Sequence, residues 1–267
     1  MKKTKTIGIL TLVMLGLTLV QPTSASQTKS LVVIDAYFDS RIIGGNVSCI
    51  TPQDQPCVDT TRPPYPRGFN NAINHGNAVV EVAKKQNSAL KIIALSSADS
   101  NRPTNAGDFI PALLWIDKNS DKIAAVSFSG FFNNTAKECS PSTKNTAPYG
   151  GGDKADKIIR DLISKLKSKN IPVFVSTGNT MGTKISYPAC ILDTVSVGTG
   201  SKNSSGQIMS QYAFNETTDY LGLADVTYFT SPVFPVIPHT TSFSAVSVAA
   251  QWITRGTLTD RVVEVLQ

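Results

Sequence analysis

The sequence runs to 267 residues, 41% of them hydrophobic and 16% charged, which supplies a sizeable core and excludes disorder as the general state. Its formal charge is +6, but Lys2, Lys3 and Lys5 all stand ahead of the apolar run Ile7 to Val20. Basic residues, a short apolar run and the small residues Thr23-Ser24-Ala25 follow the order of a secretory signal peptide, and the run is too short to span a bilayer. Cleavage after Ala25 is therefore expected, giving a signal peptide over 1–25 and a single domain over 26–267 with formal charge +3. The remaining Lys and Arg form no clustered stripe, which argues against nucleic acid as a partner. The expected location is secreted or periplasmic, with no membrane contact after cleavage.

The first regular element is Leu31-Val32-Val33-Ile34, a continuous apolar run ended by Asp35. Such a run reads as a central parallel strand, buried on both faces. Residues 36–70 are loop-rich, with Gly44-Gly45, Cys49, Cys57 and the run RPPYP. HGNAVVEVAKK then carries Ala78, Val79, Val82 and Ala83 at helical spacing, which puts His75 at a helix start. Leu90 to Leu95 is the next apolar run, Phe109 to Ile116 an amphipathic one, and Ile123 to Phe128 a strand. Asp153 to Lys169 predicts a helix with an apolar stripe through Ile158, Ile159, Leu162, Ile163 and Leu166, its five Lys and one Arg forming a solvated face. Pro172 to Val175 and Thr194 to Val197 are two more strands. The order β-α-β-α-β-α-β-β predicts an α/β fold with a mainly parallel sheet between helices. From Ser205 to Pro235 the segments QIMSQYAF and DVTYFTSPVF read as small antiparallel hairpins at the sheet edge, and two helices, Ser242 to Ile253 and a short one near Asp260 to Leu266, close the chain.

Export places the four cysteines in an oxidising compartment, where an even number reads as disulfides. Cys49 and Cys57 flank the loop TPQDQP, so a local bridge is the economical pairing and leaves Cys139 with Cys190. Zinc is disfavoured, because no C-x-x-C and no neighbouring His pair is present.

In parallel α/β sheets reactive groups gather beyond the carboxyl ends of the strands, where helix N-termini also point. Asp35 ends one strand, Asn179 follows another within Ser176-Thr177-Gly178-Asn179, and His75 and Ser242 each open a helix. A serine nucleophile needs these parts: a hydroxyl, an imidazole base, a carboxylate to orient it and an oxyanion donor. His75 and His239 are the only histidines. Each residue also has a plain structural role open to it: Asp35 as a turn residue, Ser242 or His75 as a helix cap, Asn179 in a left-handed turn.

The combination resembles the subtilisin-like serine proteases over nearly the whole mature chain. VVIDAYFD is similar to the catalytic-aspartate segment with Asp35 in place, NHGNAVVEVA to the histidine segment with His75, and VSFSG to the substrate-binding strand. VFVSTGN resembles the segment ending in the oxyanion-hole asparagine, here Asn179, and TTSFSAVSVAA the nucleophile segment with Ser242. YPACILDTVSVG resembles the stretch that follows the oxyanion residue. The order Asp, His, Asn, Ser is the family's order. Departures are Thr240 and Val246, where the family has Gly and Pro, and Asn77-Ala78 for the usual Thr-His.

The resemblance implies a three-layer subtilisin-like fold and a serine endopeptidase acting on peptide or protein substrates. The substrate is expected along Ser127-Phe128-Ser129-Gly130, with a first pocket walled by Ser127 to Ser129 and by Ser176, Thr177 and Gly178. No acid occurs in either wall, so uncharged, apolar side chains are expected there. A non-catalytic peptide-binding protein is the competing reading, motivated by Thr240, Asn77 and Val246. A nucleotide site at Gly198-Thr199-Gly200 is weaker, since the third glycine of G-x-G-x-x-G is missing. No cofactor and no metal is expected; some subtilisin-like proteases bind calcium, but Asp117 and Asp121 are too sparse for a cage.

Overall fold

A computed structural model describes residues 29–35, 38, 46–57, 75–96, 106–130, 152–210, 212–215, 217–223, 228–229, 237–238, 240–256 and 258–264. The expected signal peptide over 1–25, Cys139 and His239 lie outside these residues. In chain order the strands are β1 (Ser30–Asp35), β2 (Val47–Ile50), β3 (Ile92–Ser96), β4 (Ile123–Phe128), β5 (Val173–Ser176), β6 (Val195–Lys202), β7 (Ile208–Ser210), β8 (Tyr220–Leu223), β9 (Tyr228–Phe229), β10 (Ile237–Pro238) and β11 (Val262–Glu264). The helices are α1 (His75–Gln86), α2 (Ala106–Lys118), α3 (Gly152–Ser168) and α4 (Thr241–Arg255). One sheet holds the order β11-β8-β6-β5-β4-β1-β3-β2, all parallel, with β7 added antiparallel to β6.

Strand alternation sorts the side chains into two cores. Val32, Ile34, Val126, Phe128, Val173 and Val175 pack with Phe109, Leu113 and Ile116 of α2 and Ile159, Ile163 and Leu166 of α3. Leu31, Val33, Ala125, Phe174 and Val197 pack on the other face with Ala78, Val79, Val82 and Ala83 of α1 and Phe243, Val246 and Ala249 of α4. Helices cover both faces, which is why the strand sequences are apolar runs rather than alternations. Burying each such large side chain stabilises the fold by about 1.5–3 kcal/mol.

The strand order reverses beside β1. After β1 the chain builds β2 and β3 on one side, then crosses back to lay β4, β5 and β6 on the other. Loops therefore splay apart at the carboxyl ends of β1 and β4, opening a crevice there.

Three segments differ from the sequence expectation. The loop-rich stretch 36–70 contains β2, an edge strand on β3. The expected short helix near Asp260 to Leu266 is instead β11, whose Val262 and Val263 suit a pleated strand and pair in parallel with β8. In the hairpin region β7 returns along β6 as expected, but β8 joins the main sheet in parallel, and β9 with β10 forms a separate two-stranded ladder. The Lys-rich face of α3 is paired: Lys165 and Lys169 reach Asp117, Lys167 reaches Asp193, and Lys157 and Arg160 pair with Asp161 and Asp156.

Cys49 and Cys57 form a disulfide with Cα atoms 5.3 Å apart. It closes the turn at the end of β2, and Trp115 of α2 donates its indole N–H to Asp54 at the turn's tip. Cys190 is also disulfide-bonded; its expected partner Cys139 lies outside the described residues. Closing so short a loop removes unfolded-state entropy. Replacing both Cys49 and Cys57 by Ser is expected to lower stability by about 2–3 kcal/mol on the loop-entropy relation, read as a reduced urea midpoint with the native circular dichroism retained.

Candidate active site

Parity along β1 decides the site's starting point. Leu31 and Val33 face α1 and α4, so Asp35, two residues further, faces the same way at the strand's carboxyl end. The carboxylate is only 6% exposed and lies against the imidazole of His75 at the start of α1, with Nδ1 at 3.0 and 2.9 Å from its two oxygens. A buried carboxylate needs such a partner. With the proton on Nδ1 donated to Asp35, Nε2 keeps its lone pair and is free to act as a base. The His75 side chain is 36% exposed. Burial lowers the imidazole's proton affinity, but the charge of Asp35 and the hydrogen bond to it outweigh this and raise the pKa above the ordinary 6.5.

The ring of His75 stacks on Phe243, with centroids 6.2 Å apart and planes at 17°. Phe243 follows Ser242 in the first turn of α4, so the base and the candidate nucleophile occupy one corner of the crevice. The Ser242 hydroxyl donates to the carbonyl of Ser129, at 3.1 Å, and Ser129 Oγ donates back to the Ser242 carbonyl at 3.4 Å. No hydrogen bond joins Ser242 to His75; hydrogen bonds of this kind are often loose until substrate binds. The backbone N–H of Ser242 has no acceptor among the described residues.

Asn179 is delivered by the turn after β5. Gly178 has φ +100, and a Cβ there would stand 2.3 Å from Ser186 Oγ, so only glycine fits on both counts. Asn179 Oδ1 accepts from the N–H of Thr241 at 3.1 Å and from its hydroxyl at 2.8 Å. A backbone N–H can only donate, which settles the amide's orientation and leaves Nδ2 facing away from Thr241. That Nδ2 also has no acceptor among the described residues. Two unengaged N–H groups thus stand at the positive end of α4, an arrangement suited to a developing oxyanion.

The expected substrate surface narrows. Ser127 and Phe128 are hydrogen-bonded within the sheet on both sides, to β1 and to β5, and their side chains are fully buried. Neither offers a free main-chain edge, and at Ser129 the N–H donates to the Ile34 carbonyl at 3.5 Å while the carbonyl accepts from Ser242 Oγ. Ser176 and Thr177 are likewise buried, Thr177 donating its hydroxyl to the Ala213 carbonyl at 2.7 Å. Gly198-Thr199-Gly200 is no phosphate loop: it lies inside β6, where a Cβ on Gly200 would meet Leu221 and the Met209 carbonyl at 2.8 Å. Among the described residues no three His, Cys, Asp or Glu side chains cluster as metal ligands, and Asp117 is held by two lysines.

No protein-family model matches the sequence, and neither does any curated protein. Solved structures do. The chain is similar to the prenylagaramide maturation protease PagA at 16% identity and TM-score 0.55, covering 88% of this chain and 80% of that one. It is similar to a serine-to-alanine mutant of the protease domain of PatA at 12% identity and TM-score 0.56, covering 88% and 84%. A third similar structure is the PatG macrocyclase in complex with peptide, at 12% identity and TM-score 0.55, covering 88% and 80%. The chain has the subtilisin-like fold.

The Asp35 contact makes a signed prediction. Because folding raises the His75 pKa, the bond's contribution to stability is full below pH 6.5 and is lost as pH rises through the raised value. In an NMR titration, where only two histidines contribute, the His75 midpoint is expected above 6.5 in the wild type and lower in Asp35→Asn. A midpoint that Asp35→Asn leaves in place would refute the assignment of cause.

Proposed function

We propose that this chain is a secreted serine endopeptidase. The observation that carries the reading is the Asp35–His75 pair stacked on Phe243 at the start of the helix that holds Ser242. The likeness in fold to PagA and PatA, named as proteases, and to PatG, solved with a peptide, supports it. The Cys49–Cys57 disulfide suits an oxidising compartment and so supports export.

In this reading Ser242 Oγ leaves the Ser129 carbonyl, gives its proton to His75 Nε2 and attacks the scissile carbonyl carbon. Asp35 holds Nδ1–H, fixing the tautomer and stabilising the imidazolium that forms. The carbonyl oxygen, now negative, is held by Asn179 Nδ2 and the Ser242 N–H. His75 then passes its proton to the leaving amine, the acyl-enzyme forms, and a water activated by the same imidazole releases the acid. The substrate main chain lies along Ser129-Gly130.

One observation favours a second reading, a peptide-binding protein without catalysis: the Ser242 hydroxyl is engaged by Ser129 rather than by the imidazole. A fluorophosphonate probe separates the two, because it reacts with a serine only where base and oxyanion donors are assembled. An adduct on Ser242 by mass spectrometry, absent in Ser242→Ala, is expected for the peptidase; a folded, disulfide-bonded sample without adduct would refute the peptidase and favour the binding reading. Asn179→Ala is expected to fold normally and to lose about 10²–10³ in kcat, the cost of one oxyanion donor, in a peptide-cleavage assay.

A further inference from the structure

We propose that Ser129 is a positioning residue for the nucleophile, holding the Ser242 hydroxyl off His75 and so setting how often the two meet, an inference that rests on the peptidase reading. A reciprocal pair of hydrogen bonds carries it. Ser242 Oγ donates to the Ser129 carbonyl at 3.1 Å and Ser129 Oγ donates to the Ser242 carbonyl at 3.4 Å, so each residue gives its hydroxyl to the other's backbone. The two residues are only 6% and 3% exposed, which leaves water little part in the exchange. A buried hydroxyl gives up such an acceptor only where another is within reach.

What is fixed around the hydroxyl decides where it can turn. The last pair of the β1–β4 ladder is Ile34 with Phe128, and the Ser129 N–H continues it to the Ile34 carbonyl at 3.5 Å, so Ser129 comes alongside Asp35. The backbone just beyond lies close on a buried ring: a Cβ at Gly130 would stand 2.8 Å from Phe128, whose ring packs on Phe109 with centroids 4.4 Å apart. On the other side, Asp35 holds Nδ1 of His75 and Phe243 covers the face of the imidazole. The Ser129 carbonyl and the imidazole are thus both anchored, and the movable part is the Ser242 hydroxyl. It has one proton to give, to Ser129 or to Nε2.

The side chain of Ser129 tilts that choice. Asn179 ties Thr241 down at one edge of the helix start, and Ser129 Oγ ties the carbonyl of Ser242 to the end of β4 at the other. The second tether keeps the first turn of α4 drawn onto Ser129, with the Ser242 hydroxyl in reach of the Ser129 carbonyl. Removing the Ser129 hydroxyl leaves that carbonyl in place but slackens the tether, so the population of the Ser242 hydroxyl shifts toward the imidazole. A nucleophile that is competent for only a fraction of the time reacts at a rate reduced by that fraction. Ser129 is in this way a brake on Ser242, built from the contact that the resting site shows.

The test uses the mature protein carrying Ser129→Ala or Ser129→Thr, alone and combined with Ser242→Ala. In NMR of the ring nitrogens, Ser242→Ala is expected to leave the Nε2 shift of His75 in place when Ser129 is present, because the hydroxyl sits on Ser129, and to move it in the Ser129→Ala background, where the hydroxyl reaches the imidazole. A residue that only supported the fold would not create that coupling. The rate of fluorophosphonate labelling at Ser242 should rise about two- to tenfold in Ser129→Ala, the worth of one neutral hydrogen bond, and fall back in Ser129→Thr, which restores a donor. Thermal unfolding of each variant, run alongside, checks that the fold is kept. An Nε2 shift that Ser242→Ala moves with Ser129 intact, or a labelling rate that Ser129→Ala leaves unchanged or lowers, would overturn the proposal while labelling at Ser242 left the peptidase reading standing. Absence of wild-type labelling would overturn both.

Discussion

The Asp35–His75 hydrogen bond is the contact around which the rest of the site is arranged, and it depends on a register. β1 is paired on both sides, to β3 and to β4, and its odd-numbered residues face α1 and α4. A slip of one residue would carry Asp35 to the opposite face, under α2 and α3, where no imidazole stands among the described residues. Both cores resist that slip, because Val32 and Ile34 would exchange places with Leu31 and Val33 in packing that tolerates little change of shape. The carboxylate is thus placed by hydrophobic packing several residues away, and once placed, its burial makes the imidazole partner necessary.

The helix that carries Ser242 is fixed differently, by small residues and hydrogen bonds from its first turns. Ser129 and Ser242 exchange hydroxyl-to-carbonyl hydrogen bonds, Thr199 and Ser244 share one at 2.5 Å, and a Cβ on Gly222 would stand 2.5 Å from Ser244 Cβ. Close approach of α4 to β8 explains the glycine at 222, whereas Gly198 and Gly200 make room for Leu221 of β8. It also draws the helix N-terminus down to the rim, where Asn179 meets Thr241 and leaves two N–H groups unengaged.

Much of this was legible in the sequence wherever an element is long or buried on both faces. The apolar run ending in Asp35, the helical spacing behind His75 and the stripe of α3 each correspond to one observed element. Short and edge elements were not: β2 sits in a stretch dominated by Gly, Pro and Cys, and β11 is three residues whose pairing with β8 is supplied by tertiary context. Burial near a strand end was not legible for a related reason, since sequence spacing shows where Ser127 and Ser176 fall along their strands but not that their surroundings cover the side chains.

The departures from the family pattern around Ser242 can be weighed from backbone geometry. Thr240, where the resemblance implies glycine, has φ −124 and ψ 170, an extended conformation open to any residue. Its carbonyl accepts the N–H groups of Phe243 and Ser244, so it starts the helix without side-chain help. Val246, where the resemblance implies proline, is fully buried against the face that holds Leu31 and Phe174. A proline has no N–H to give to the carbonyl four residues back, whereas valine has one, and that carbonyl belongs to Ser242. Valine thus makes the first turns of α4 more regular than the family pattern would, and the Ser242 carbonyl, held also by Ser129 Oγ, gains a second anchor. Neither substitution asks the backbone at Ser242 for a strained conformation, so in the proposed peptidase the remaining step is the hydroxyl's exchange of Ser129 for His75.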